Sequence, residues 1–153
     1  MSIVDDNNSR PVPLLRLLGT ALDGFTDALN DQVAKTAYSD LRAGHGCVFG
    51  NIDPDGSRLT ELAQRARMTK QSVGEVTTDL EHRGYVERVP DPSDGRAKII
   101  RLTERGHDAQ ALGYDLIDGI EREWTERFGA ERVAALREAL EAITAEQLGA
   151  VPA

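Results

Sequence analysis

The residues best suited to chemistry fall in two stretches, KQSVGEVTT and PDPSDGRAKIIR. In the first, Lys70, Gln71, Ser72, Gly74, Glu75 and Thr78 offer mostly short or amide-bearing groups, spaced to share or flank one side of a helix, with Thr77 beside them. Such groups suit hydrogen bonding to base edges and phosphates. Gly74 costs about 1 kcal/mol relative to alanine in mid-helix. It either lets a nucleic acid approach closely or clears space for a neighbouring side chain. In the second stretch, Asp94-Gly95-Arg96 predicts a hairpin tip with Arg96 pointing outward, where a narrow, electronegative minor groove attracts arginine. Asp94 is placed to orient that guanidinium as a bidentate pair; otherwise the two form a surface ion pair of little worth. Arg88, Lys98 and Arg101 are further candidates for phosphate contact.

Other residues invite chemistry that their spacing does not support. Cys47 lies two residues from His45, but the only nearby positive charge is Arg42 and the histidine itself. A buried apolar thiol is expected, and a redox-sensing thiolate is the alternative. His45, Cys47, His82 and His107 are scattered, without CxxC or HxxxH spacing, so no metal site is expected. Phosphate-loop, dinucleotide and serine-nucleophile fingerprints do not occur, and the carboxylates fall on solvent faces of helices. Neither a cofactor nor an enzymatic activity is expected.

The elements that must position the two stretches follow from periodicity. A helical pattern runs from Pro13 through LLRLLGTALDGFTDALNDQVAKTAYSDL, with Leu14, Leu17, Leu18, Leu22, Phe25, Leu29 and Val33 at three- and four-residue steps. A short helix around Val48 and Phe49 precedes the turn Asp53-Pro54-Asp55-Gly56. Two short helices follow, the first capped by Thr60 with Leu62, Ala63 and Ala66 inside, the second capped by Thr69 with Val73, Val76 and Leu80 inside. A gap of three or four residues between them is helix-turn-helix spacing. Gly84 ends the second helix, Tyr85–Val89 and Ile99–Leu102 form a hairpin, and Thr103 caps a last long helical region broken at Gly129. Val133, Leu136, Leu140, Ile143 and Leu148 complete the final helix. The expected fold is mainly α with a small β-hairpin, a winged helix-turn-helix whose second helix fits a major groove while the hairpin reaches the adjacent minor groove.

Charge supports this unevenly. The chain carries a net −8, yet Ser57–Gly106 holds 10 Lys/Arg against 8 Asp/Glu. A mildly basic centre between acidic flanks leaves room for a local anionic partner while disfavouring indiscriminate nucleic-acid binding. With one cysteine, no span of roughly 20 apolar residues, and a polar, acidic N-terminal stretch, a cytoplasmic protein without membrane contact is expected. A winged-helix protein-interaction module without DNA binding is the alternative to a DNA reader.

The stretch from Leu59 to Gly106, LTELAQRARMTKQSVGEVTTDLEHRGYVERVPDPSDGRAKIIRLTERG, resembles the MarR family of winged-helix transcriptional regulators. Its most specific part is the wing pattern Asp91, Pro92, Asp94, Arg96, Ala97, Lys98, then Leu102, Thr103 and Gly106. The chain departs at Gly95, where many members have a second arginine, which implies one phosphate contact fewer. The resemblance implies a cytoplasmic homodimer, usually a repressor, that reads a pseudo-palindromic operator in double-stranded DNA and is released by a small, often aromatic or phenolic effector. It implies an N-terminal dimerisation helix over 1–38 with residues 1–10 frayed, a DNA-binding region over 39–106, and C-terminal dimerisation helices over 107–153, together one intertwined domain. Phe25, Leu29, Leu136, Leu140 and Ile143 are interface candidates, with intrachain core as the alternative. Phe25, His45, Val48, Phe49, Tyr114 and Trp124 are effector-pocket candidates, and these aromatics could equally be core only.

Overall fold

Pro13 opens the first helix, a position where its missing N–H costs nothing, and its carbonyl accepts from Arg16 and Leu17. A computed structural model describes residues 11–149 and side chains to residue 147; the expected fraying of residues 1–10 lies outside them. Helix α1 spans Leu14–Val33, followed by a 3₁₀ turn at Ala43–His45 and α2 at Gly46–Phe49. Next come β1 (Ser57–Arg58), α3 (Leu59–Ala66), α4 (Lys70–His82), β2 (Val86–Asp91), β3 (Asp94–Leu102), α5 (Glu104–Phe128) and α6 (Ala130–Gly149). The chain divides into two compact units between Leu116 and Ile117.

In the first unit the core gathers Val48, Leu62, Val73, Leu80, Tyr85, Val86, Ile100 and Leu102 around the helix-turn-helix and sheet. Tyr85 is its anchor. Its ring meets Phe49 edge-on and Tyr38 at a tilt, both with centroids 6.2 Å away, and the Arg105 guanidinium lies 4.6 Å over its face. Its hydroxyl donates to Asp40 at 2.6 Å and accepts from Arg105 at 2.9 Å. That hydrogen bond, more than the neighbouring arginines, lowers the Asp40 pKa, while burial raises that of the tyrosine.

The local signals read from sequence explain most boundaries. Thr69 accepts from the Ser72 N–H at 3.1 Å and caps α4. At the other end Gly84, with φ +77°, lets its own N–H bond Glu81 O while the Tyr85 N–H reaches back to Leu80 O, a Schellman closure. Thr103 accepts from Gly106 N at 3.1 Å at the start of α5. The turn at Asp53–Gly56 is closed by Gly56 N bonding Asp53 O at 2.9 Å. Gly56 has φ +94°, and a Cβ there would sit 2.5 Å from an Ile99 methyl, so only glycine fits.

Four expectations are corrected. The first helix stops at Val33, short of Leu41: Thr36 donates its hydroxyl to Val33 O at 2.7 Å and accepts from Tyr38 N–H at 3.0 Å, turning the chain away. Thr60 does not cap α3, which starts one residue earlier at Leu59; the Glu61 carboxylate instead accepts the Arg58 N–H at 2.9 Å. The hairpin gains a third strand, because β1 pairs antiparallel with β3, giving sheet order β1-β3-β2 with Ser57 opposite Ile100. The hairpin's turn is at Pro92-Ser93, not Asp94-Gly95-Arg96. Asp91 makes it, accepting both the N–H and the hydroxyl of Ser93 at 2.8 and 2.7 Å.

The second unit holds the end of α5 and α6. Gly129, with φ +95°, separates the two helices. Trp124 and Phe128 pack edge to face at 6.2 Å, and Arg137 hydrogen-bonds Glu121. On α6, Leu136, Leu140 and Ile143 form a stripe and are each 40% or more exposed. No helix among the described residues is long and apolar enough to cross a membrane.

Candidate nucleic-acid interface

Helix α4 is built to show one face. Val73 and Leu80 are fully enclosed, and Lys70, Gln71 and Glu75 are exposed on the opposite side. Thr77, expected beside them, is fully buried with its hydroxyl satisfied by Val73 O at 2.7 Å, so it belongs to the inner face. Ser72 is half-buried and tied to the cap through Thr69 at 2.8 Å. Thr78 donates to Gly74 O at 2.8 Å and accepts from Arg88 at 3.1 Å. A Cβ on Gly74 would meet only Leu59 Cδ2 at 3.6 Å, an ordinary contact. Nothing in the fold therefore requires glycine there.

The exposed side of α4 opens into a groove whose wall includes Lys70, Gln71, Gly74, Glu75, Thr78 and Arg88. A second depression lies against the wing and is lined by Arg58, Thr60, Lys70, Arg88, Lys98 and Ile100, among others. Leu59, Lys70 and Arg88 line both, so the helix face and the wing strands form one continuous surface.

The wing presents its cations unequally. Pairing runs evenly from Val86 opposite Leu102 to Pro90 opposite Lys98, then jumps to Asp91 opposite Asp94. Gly95, Arg96 and Ala97 thus lie in a bulge of β3, and a bulge re-aims the side chains it carries. Arg96 is exposed there and has no side-chain partner among the described residues. Asp94 does not hold the Arg96 guanidinium as expected; it accepts the Arg96 backbone N–H at 3.1 Å, because the bulge turns that amide toward it. Lys70 and Lys98 are likewise exposed and unpaired. Arg88 is ion-paired with Glu81 at 2.7 Å and Arg101 with Glu87 at 2.7 Å, so a phosphate would have to compete for either.

Arg58 and Asp91 were not singled out as a pair by sequence. The Arg58 Nε donates to the Asp91 carboxylate at 2.7 Å, and its guanidinium also reaches Ser93 at 3.3 Å. This ties the wing's turn to β1. Ser93 first, then Arg58, depress the Asp91 pKa to about 2. Asp91 was legible only as part of the wing motif. Arg58 gave no signal, since a two-residue strand has no periodicity.

Solved structures and sequence relatives place this architecture. A transcriptional regulator from Escherichia coli O111:H-, HosA, is 30% identical over 79 residues. That match covers 52% of this chain and 58% of the relative, so the chain spans little more than half the length of the curated protein it matches. The transcriptional repressor CouR bound to a 23-mer DNA duplex is 26% identical, with a TM-score of 0.75 over 86% of this chain and 92% of that one. CouR from Rhodococcus jostii RHA1 bound to p-coumaroyl-CoA is 25% identical, with a TM-score of 0.68 over 83% and 88%. The family model described as the MarR family matches residues 44–97, the helix-turn-helix and the wing. Over those residues the chain is similar to the MarR family.

The effector-pocket candidates sit in different settings. Val48 is fully enclosed in the core, and Phe49 packs on Tyr85. His45 accepts the Arg42 N–H on Nδ1 at 2.8 Å, so its Nε2 carries the proton that meets Asp79 at 3.0 Å. Tyr114 is exposed, Phe25 is half-buried, and Trp124 pairs with Phe128 in the second unit. Cys47 is half-buried, and burial raises its pKa, which disfavours the thiolate. Of the interface candidates, Phe25 and Leu29 are half-buried and the three on α6 exposed. Leu14, Leu15 and Leu22 on α1, at 66, 84 and 67%, are more exposed than any of these interface candidates.

Proposed function

We propose that this protein is a homodimeric, sequence-specific DNA-binding transcriptional regulator, a repressor released by a small aromatic or phenolic effector. The observation that carries the reading is the continuous surface running from the exposed face of α4 to the cationic strands of the wing. Lys70, Gln71, Gly74, Glu75 and Thr78 face the major groove, and Arg96 enters the minor groove beside it. Lys98 contacts phosphate directly, Arg88 and Arg101 after exchanging their carboxylate partners, and Asp94 and Ser72 hold backbone that the duplex touches. Residues 39–106 form the reading region, and the helices over 1–38 and 107–153 pair two copies so that two heads meet successive major grooves. The DNA-bound and p-coumaroyl-CoA-bound CouR structures support a head of this kind that answers to both partners.

The test is duplex binding by fluorescence anisotropy, with sites enriched from a random library and measured at two salt concentrations. Wild type is expected to bind with affinity that falls steeply as salt rises. Arg96→Ala is expected to weaken binding about tenfold or more with an unchanged circular dichroism spectrum. An unaltered midpoint for the variant, or salt-insensitive binding by wild type, would count against the reading and favour a protein-interaction module.

A further inference from the structure

Glu75 is the odd charge on the reading surface. The neighbouring acids are committed to cations: Asp79 to Arg83, Glu81 to Arg88, and Glu87 to Arg101. Glu75 has no cation among the described residues and stands exposed with Lys70 and Thr78 on the groove wall. A carboxylate there is repelled by every phosphate and loses its water when a duplex seats, so it needs an N–H donor in the groove.

Gln71 limits what that donor can be. Its side-chain amide donates to Glu75 Oε1 at 3.2 Å, one helical turn along. A carboxylate only accepts, so the Gln71 nitrogen must point at Glu75 and its carbonyl oxygen outward. The pair therefore brings two acceptors, Gln71 Oε1 and Glu75 Oε2, to the groove wall against the one Gln71 N–H that remains. Guanine presents only acceptors at N7 and O6, thymine an acceptor and a methyl, and adenine an amino group beside the N7 acceptor. Cytosine alone presents an amino donor without an adjacent acceptor.

We infer that Glu75, steadied by Gln71, is a specificity-determining residue that demands a cytosine amino group on the strand it faces in each half-site. This rests on the DNA-regulator reading above. The carboxylate contributes discrimination rather than affinity. It penalises every sequence through its charge, and a cytosine amino group offsets the penalty without setting a base acceptor beside the carboxylate.

Binding-site selection from a random duplex library, run with the full chain as wild type, Glu75→Ala and Glu75→Gln, tests this. Wild type is expected to enrich one cytosine per half-site that disappears from the Glu75→Ala consensus while the other positions stay. On non-cognate duplex, Glu75→Ala is expected to bind about threefold tighter or more, since it removes one charge repelled by phosphate. The preference for cognate over the cytosine-to-guanine site is expected to fall about tenfold. Glu75→Gln, which can donate as well as accept, is expected to move that position towards adenine. A consensus unchanged in Glu75→Ala, or a uniform loss of affinity on all sequences, overturns the assignment and leaves the regulator reading intact. A wild type that enriches no sequence overturns both.

Discussion

Asp91 shows how much one side chain settles in the wing. Its carboxylate, only 5% exposed, takes three donors from Ser93 and Arg58. Its pKa of about 2 lies below the unfolded value of about 3.9. The native state thus favours the ionised form, and that contribution is complete above about pH 4 and lost as pH falls through about 2. Asp91→Asn is expected to melt at lower temperature than wild type at pH 7. The gap between the two should close as thermal scans are taken from about pH 4 down to about pH 2. A gap independent of pH over that range would mean the carboxylate charge is immaterial. The importance of Asp91 was half legible: the motif marked the position, but its partner Arg58 lies 33 positions away and only the fold joins them.

Among the elements, those defined by local chemistry were readable and those defined by distant pairing were not. The Thr69 cap, the Gly84 closure and the buried stripe of α4 all act within one or two turns of their own chain. Strand β1 exists only because β3 offers it a partner, so no local signal announced it. The wing's turn was misplaced because Asp-Gly is the stronger hairpin signal by type, whereas Asp91 bonds Ser93 and turns the chain two residues sooner. Two glycines in neighbouring elements make opposite predictions. A Cβ at Gly106 would lie 2.0 Å from the Tyr85 carbonyl oxygen, so α5 packs directly on the backbone of the residue just before β2. Gly106→Ala is expected to cost about 2 kcal/mol or more of stability in urea unfolding. Gly74→Ala, whose Cβ would make only an ordinary 3.6 Å contact with Leu59, is expected to gain up to about 1 kcal/mol in the same assay and yet bind duplex more weakly. Undiminished binding by that variant would remove the reason proposed for the glycine.

At the scale of the whole molecule, the terminal helices were legible as apolar and their partner was not, because periodicity reports a buried face without saying what buries it. The stripe of Leu136, Leu140 and Ile143 on α6 stays exposed in the single chain, as do Leu14, Leu15 and Leu22 on α1. Covering them in a homodimer removes apolar surface at roughly 25 cal/mol per Å². Leu136→Glu combined with Leu140→Glu is expected to convert a dimer to monomer in sedimentation equilibrium and to lower the salt slope of DNA binding by about half. A double variant that sediments like wild type would place the interface elsewhere. On the regulator reading, the net charge of −8, with only the central third basic, favours ready release of indifferent DNA. The Arg58 bond to Asp91 has a consequence for genome searching. By riveting the wing to the strand that leads into α3, it fixes the offset between the wing and the helix-turn-helix, and on the reading proposed above it fixes the offset between the bases each would meet. On that reading, a base pair inserted between the bases met by the helix and those met by the wing is expected to abolish binding, whichever copy it falls under.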